Sequence, residues 1–259
     1  MFKGQQDMEG EKFYKNIQKV LEDLPENYSI LEEQIDIEVQ MKYFEYSKTT
    51  REKKNPAECF KNREELFDEE TSEDRKKEIL TTIAVFDDVK AYRTLEKFVK
   101  EAKGELKQWG ILALQESRML LQTSLLDEQQ VFISTGLGGK GKKLRYFVVF
   151  LSKNPEGMLT KTQQKLLKNE LIFALKNEDG EFESMDFTEG FSSALVVLPL
   201  NVEIKSVFQG VIDECNQYGG FLHEDLLVTN VKVLSRNEIL QIINHKSENS
   251  IDELDDEED

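Results

Sequence analysis

Cysteine and histidine are scarce in this 259-residue chain, with two of each, and long apolar runs are missing altogether. Cys59 and Cys215 lie far apart in segments of different kinds. Cys215 falls on the apolar side of an expected helix, which suits a buried free thiol. The histidines, His223 and His245, have no HExxH motif and no second ligand beside them, so neither a metal nor a cofactor is expected. His223, in GGFLHEDLL, reads as a surface or capping residue. No Cys–His pairing and no Gly-x-Ser-x-Gly elbow occurs, and paired carboxylates discriminate nothing among 51 acidic residues. The N-terminus, MFKGQQDMEGEKFYK, lacks a signal-peptide core, and no stretch approaches the roughly 18 apolar residues of a membrane span. These absences describe a cytoplasmic chain of a reducing compartment, off the membrane and not an enzyme.

What the chain has in excess is negative charge. Charged residues make up 33% and the formal net charge is −17, with a lean hydrophobic share of 39%. Such a balance argues against a surface that coats nucleic acid or anionic membrane as a whole, while leaving room for a local basic site.

The patterns divide near residue 128. The first part, 1–128, is expected to be helical. Phe13, Ile17, Val20, Leu21 and Leu24 form a stripe that Pro25 stops. Residues 29–46 carry both a four-residue spacing (Leu31, Ile35, Val39, Tyr43) and a strict alternation from Ile35 to Tyr43. Ser29 and Glu32 form a capping-box pair, and helix is the expectation there, with strand as the alternative. Residues 47–78 are nearly all polar and read as a mobile connection or a solvated helix, anchored by Phe60, Leu66 and Phe67. Asp88 then caps a helix, and a partner helix follows Gly104. On DDVKAYRTLEKFV and ILALQESRMLL, residues 87–126 resemble a HEAT-type helical hairpin. A solenoid needs about three such units and no second copy is evident, so a helical bundle is expected.

From 129 to 246, strands alternate with helices. RYFVVFLS (145–152) is apolar on both faces, as a central strand should be. Thr160 or Thr162 can cap the helix that follows. FESMDF and SALVVLPL are strands, Asn201 caps a second helix, and LLVTNVKVL is the last strand. Ser235 with Glu238 forms a capping box for a terminal helix. This βαββαβ order over about 145–245 resembles the ferredoxin-like fold, an antiparallel sheet with two helices on one face. The fold class expected is therefore α+β, with a β-hairpin before the sheet. The tail, 247–259, has seven carboxylates in its last eight residues and should be disordered.

STGLGGKGKKLRY (134–146) holds the one motif that invites a ligand. Gly136, Gly141 and Lys142 fit phosphate-loop spacing, but Lys143 stands where Ser or Thr should hold magnesium, and a strand follows where a helix is required. A flexible hairpin tip, with Gly136, Gly138, Gly139 and Gly141 as its loose joints, is the better account. VFIST (131–135) must then pair beyond the sheet as a protruding ribbon, or be inserted with a changed strand order. From Gly138 to Lys168 there are eight basic residues (Lys140, Lys142, Lys143, Arg145, Lys153, Lys161, Lys165, Lys168) against Glu156 alone, a segment of net +7. Lys161, Lys165 and Lys168 share a helix face.

That asymmetry yields two readings, a solvated face or an anion site. The sharper one makes the chain an interaction or regulatory protein that presents the basic loop and helix face to an acidic protein or to nucleic-acid phosphate, with its own acidic tail as competitor. The alternatives are a regulatory domain for a small anionic ligand such as a nucleotide, and an enzyme of unrecognised type. Base stacking on the sheet is not expected, because Phe147 and Phe150 read as core and SALVVLPL has no aromatic.

Overall fold

A computed structural model describes residues 28–51, 55–126 and 131–244. The stripe at 13–24 and the acidic tail lie outside the described residues, as does His245.

The chain begins with a short strand, β1 (Tyr28–Ile30), and an irregular stretch that leads into α1 (Ile37–Arg51). The helix expected from Ser29 is thus displaced. Ser29 sits in β1 and receives a hydrogen bond from Gln115 Nε2 (3.3 Å), while Asp36 takes over the helix start, its Oδ1 accepting from Glu38 N at 2.7 Å. The four-residue spacing still marks what is buried: Leu31, Ile35, Val39 and Tyr43 are all in the core, whereas Ile37 and Met41 of the alternating set are exposed.

α2 (Pro56–Lys61), a 3-10 turn (Arg63–Phe67), α3 (Glu73–Ala84), α4 (Val89–Glu101) and α5 (Gly104–Leu126) complete the helical region. Asp88 caps α4 as expected, accepting from Lys90 N. The polar stretch after residue 47 is better anchored than its composition implies, since Ser47, Cys59 and Leu66 are buried and Phe60 and Phe67 pack against the same core. α5 packs against α1, α3 and α4. At the centre, Tyr43 donates to the buried Glu116 carboxylate at 2.7 Å, and Trp109 Nε1 donates to Thr81 Oγ1 at 2.9 Å.

The expected ferredoxin-like order then follows: β4 (Lys143–Ser152), α6 (Lys161–Asn177), β5 (Glu181–Phe187), β6 (Phe191–Pro199), α7 (Ile204–Asn216) and β7 (Leu222–Thr229). The sheet runs β7-β4-β6-β5, antiparallel throughout, so the molecule is α+β. β4 is central, and Val148, Val149 and Phe150 are fully buried from both sides. Thr160 caps α6 in a reciprocal box with Gln163. α7 starts at Glu203 with no side-chain cap, so Asn201 does not have the role its residue type suggested. α6 and α7 cover one face, packing Leu167, Leu171, Leu175, Phe208, Val211, Ile212 and Cys215 against the sheet. Burial pushes the Cys215 thiol up to about 12, so it stays protonated and inert.

The opposite face is covered by Leu137 and by α8, a helix over 236–244 that Ser235 and Glu238 cap reciprocally. Ile239 of this helix is buried against Phe147, Val149 and Phe191.

The short strand β2 (Val131–Ile133) pairs with neither β4 nor the main sheet. It runs parallel to β1, Tyr28 opposite Val131 and Ile30 opposite Ile133. Parallel strands need a long crossover, and here that crossover is the whole helical region. The ribbon expected from VFIST gives way to a smaller hairpin, β3 (Gly139–Lys140) with the start of β4, closed by Gly141 and Lys142.

Candidate nucleic-acid interface

The glycine-rich stretch is a packed joint. Gly136, Gly138 and Gly139 are buried. A Cβ at Gly136 would stand 1.6 Å from the carbonyl oxygen of Val231, and one at Gly138 would stand 2.5 Å from those of Glu32 and Glu33. These glycines therefore answer to close backbone approach, in place of the looseness expected of them. Gly141 alone faces open space, with φ +61 at the turn. Main-chain bonds tie the joint on both sides: Leu31 N to Ile133 O (2.9 Å), Ile35 N to Gly136 O (3.1 Å) and Leu137 N to Asn230 O (3.0 Å). The buried Gln40 amide donates to Ile35 O and Thr135 O and accepts from Ser134 Oγ at 2.7 Å, joining α1 to the same loop.

The hairpin cations are paired within the chain. Lys143 and Arg145 leave β4 on one side, and Glu181 and Glu183 leave β5 two strands away on that side. Arg145 holds Glu183 with two parallel bonds, Nε to Oε2 at 2.7 Å and Nη2 to Oε1 at 2.9 Å, and gives Nη1 to Leu137 O at 2.7 Å. Lys140 bonds Glu181, and Lys143 lies 3.2 Å from Asp179 and 3.7 Å from Glu181. Lys142 Nζ sits 4.9 Å from the centre of the Tyr28 ring. The hydrogen bond from Lys140 holds the Glu181 carboxyl below its ordinary range, and the bond to Glu183 raises Arg145. None of these acids stood out in the sequence. The signal that could have found them is the matched alternation of KLR in β4 and EFE in β5, whose charges fall on the same side of one sheet.

The helix lysines have another setting. Lys161, Lys165, Lys168 and Lys176 are all exposed on α6. Lys168 Nζ lies 5.1 Å from the Phe182 ring centre on β5. Among the described residues, no carboxylate comes within ion-pair distance of these four lysines. Glu170 is the one acid within α6. Two apolar side chains share the surface, Ile172 and Phe173, and Phe173 is 62% exposed. Lys153, exposed at the end of β4, belongs to neither group.

The sheet itself presents no platform for a base. Phe147 is buried beneath α8, and Phe150 lies in the core 6.2 Å from Phe208. His223 is exposed on β7 and its Nδ1 accepts from Asp225 N at 3.1 Å. Among the described residues no cluster of His, Cys, Asp and Glu could hold a metal ion, and no helix is long and apolar enough to cross a membrane.

No protein-family model and no curated protein matches the chain. Solved structures do. A Deinococcus radiodurans R1 protein described as a candidate transposase aligns at 17% identity and a TM-score of 0.34, over 40% of this chain and 90% of its own. A REP-associated tyrosine transposase bound to a REP hairpin aligns at 12% identity and a TM-score of 0.31. That alignment covers 36% of this chain and 59% of the transposase, so this chain spans a little over half of that protein. Both of these structures being described as transposases, the expectations of a non-catalytic interaction protein and of a chain without enzymatic activity do not stand. At these identities and TM-scores the likeness assigns no reaction and no site to this chain.

Proposed function

We propose that the chain binds nucleic acid, and that the outer face of α6 is the contact surface. The observation that carries this reading is a helix with four exposed lysines and, among the described residues, no carboxylate within ion-pair distance of them, in a chain of net charge −17. In the hairpin, by contrast, the fold pairs its cations with carboxylates, as it does with Lys140, Lys143 and Arg145. Uncompensated positive charge in an acidic protein raises the local potential, so a polyanion is drawn to this face and repelled by the rest. Phosphates supply the matching charge at regular intervals. The residues 247–259 are a second polyanion within the same molecule, and their removal should raise the affinity at low salt.

Fluorescence anisotropy with a labelled oligonucleotide tests the reading. Reversing Lys161, Lys165 and Lys168 to Glu should weaken binding by more than about tenfold at low salt. For the wild type, log affinity against log salt should fall with a slope of about −2 to −4. Lys140→Gln should change affinity by less than about twofold, because its charge is already spent on Glu181. Equal losses from the two variants would refute the assignment to α6.

A further inference from the structure

Phe173 is the most exposed of the large apolar residues of α6. At 100° per residue, α6 buries Leu167, Leu171 and Leu175 on one side, and Phe173 falls near the middle of the other. It is 62% exposed, eight residues beyond Lys165 and three before Lys176, or about 12 Å and 4.5 Å along the axis. Asn169 is exposed one turn before it. An aromatic ring exposed to water between cations and away from the core has apolar area to cover, with Ile172 the one other exposed large apolar side chain of α6.

We infer that α6 takes single-stranded nucleic acid, with the Phe173 ring as a stacking surface for one unpaired base and the flanking lysines on its phosphates. This rests on the reading of α6 as a nucleic-acid surface and names the form of that ligand. Lysines alone hold duplex and single strand alike, since both display phosphates. In a duplex the base faces are stacked on one another and closed to a side chain; in a single strand they are open. A phenyl ring has no donor or acceptor with which to read a groove edge, but it matches the face of any base. The combination of basic track and exposed ring therefore favours strands whose bases can turn outward. An acidic peptide would satisfy the lysines and leave the ring idle.

The test compares a fluorescein-labelled oligothymidylate of 12 nucleotides with a duplex of equal length, using the full chain. Phe173→Leu keeps apolar bulk and removes the flat face. It should weaken single-strand binding about tenfold and leave duplex binding within about twofold, while Phe173→Trp should hold or strengthen the former. An unchanged single-strand affinity in Phe173→Leu, or an equal loss on both ligands, overturns the inference. So does displacement of the oligonucleotide by poly-glutamate of equal charge as readily as by unlabelled strand. The Lys161/Lys165/Lys168→Glu variant separates the two readings. If it loses both ligands while Phe173→Leu loses neither, the surface stands and the stacking role falls. If it loses neither, the surface itself is refuted. Circular dichroism on each variant confirms the fold, which these exposed positions should not disturb.

Discussion

Two stretches of this chain carry lysine and arginine at similar density, and the fold uses them in opposite ways. In the hairpin, β4 sets Lys143 and Arg145 across the sheet from the carboxylates of β5, and the charges are consumed inside the molecule. On α6 the lysines are exposed, Lys168 lying over the Phe182 ring of β5, and among the described residues no carboxylate comes within ion-pair distance of them. A run of net +7 in the sequence thus becomes a structural clasp at one end and a bare cationic surface at the other. Linear charge counts cannot make that distinction, because the compensating acids come from a strand about 40 residues further on.

The contrast can be tested from its strongest consequence downward. Gly136→Ala should be the most damaging change, since its Cβ would meet the Val231 carbonyl; a loss of about 3 kcal/mol, or roughly 10 °C in melting temperature, is expected. Gly141→Ala faces open space and suffers only from its positive φ, about 1 kcal/mol. If calorimetry finds the two equal, the joint is not packed as described. Arg145→Gln comes next. It gives up a two-bond grip on Glu183 and a donor to Leu137 O, and about 2 kcal/mol should disappear. A double-mutant cycle with Glu183→Gln should recover most of that as coupling. Reversing the α6 lysines should move the melting temperature by no more than about 1–2 °C, in keeping with a surface that serves binding and not stability.

The smallest effect concerns acid. The Glu238 carboxyl is lowered to about 2, first by the hydrogen bond from Lys232 and then by Ser235. A carboxyl lowered on folding contributes stability that is complete above its unfolded value and is lost as pH falls towards 2. Thermal melts from pH 5 to pH 2 should therefore lose a little more in the wild type than in Glu238→Gln. The reverse order would mean that the cap does not hold α8.

Much of the architecture could be read directly. The helix stripe from Ile204 to Cys215 and the two-sided burial of β4 depend on local periodicity, and both are as the pattern demanded. The capping boxes at Thr160 and Ser235 are equally local. What failed to show was long-range. Ser29 looked like a cap because Glu32 follows it, yet its partner in space is Val131's neighbour Phe132 across a parallel pair. The glycines looked loose because nothing nearby in sequence crowds them, while the backbones that do, at residues 32, 33 and 231, come from either end of the chain. For the candidate site, Lys161, Lys165 and Lys168 share a helix face by their spacing, while Lys176, about two turns further on, does not stand out. Phe173 reads from sequence as one of the apolar residues of that helix, with Leu166, Leu167, Leu171 and Leu175, and is instead exposed, because which side of an amphipathic helix is buried cannot be told without its register.

The pairing of β1 with β2 has a consequence for how the molecule can be rebuilt. The chain departs for its helical region at Ile30 and is back at Val131, within about 10 Å of where it left. That region of about 100 residues is in effect an insertion with touching ends. A short linker from Ile30 to Val131 should bypass it, and the excised segment could be closed on itself into a ring. Such a shortened chain would keep the sheet and α6 while giving up the Gln40 clamp, which makes it a direct probe of what the helices are for.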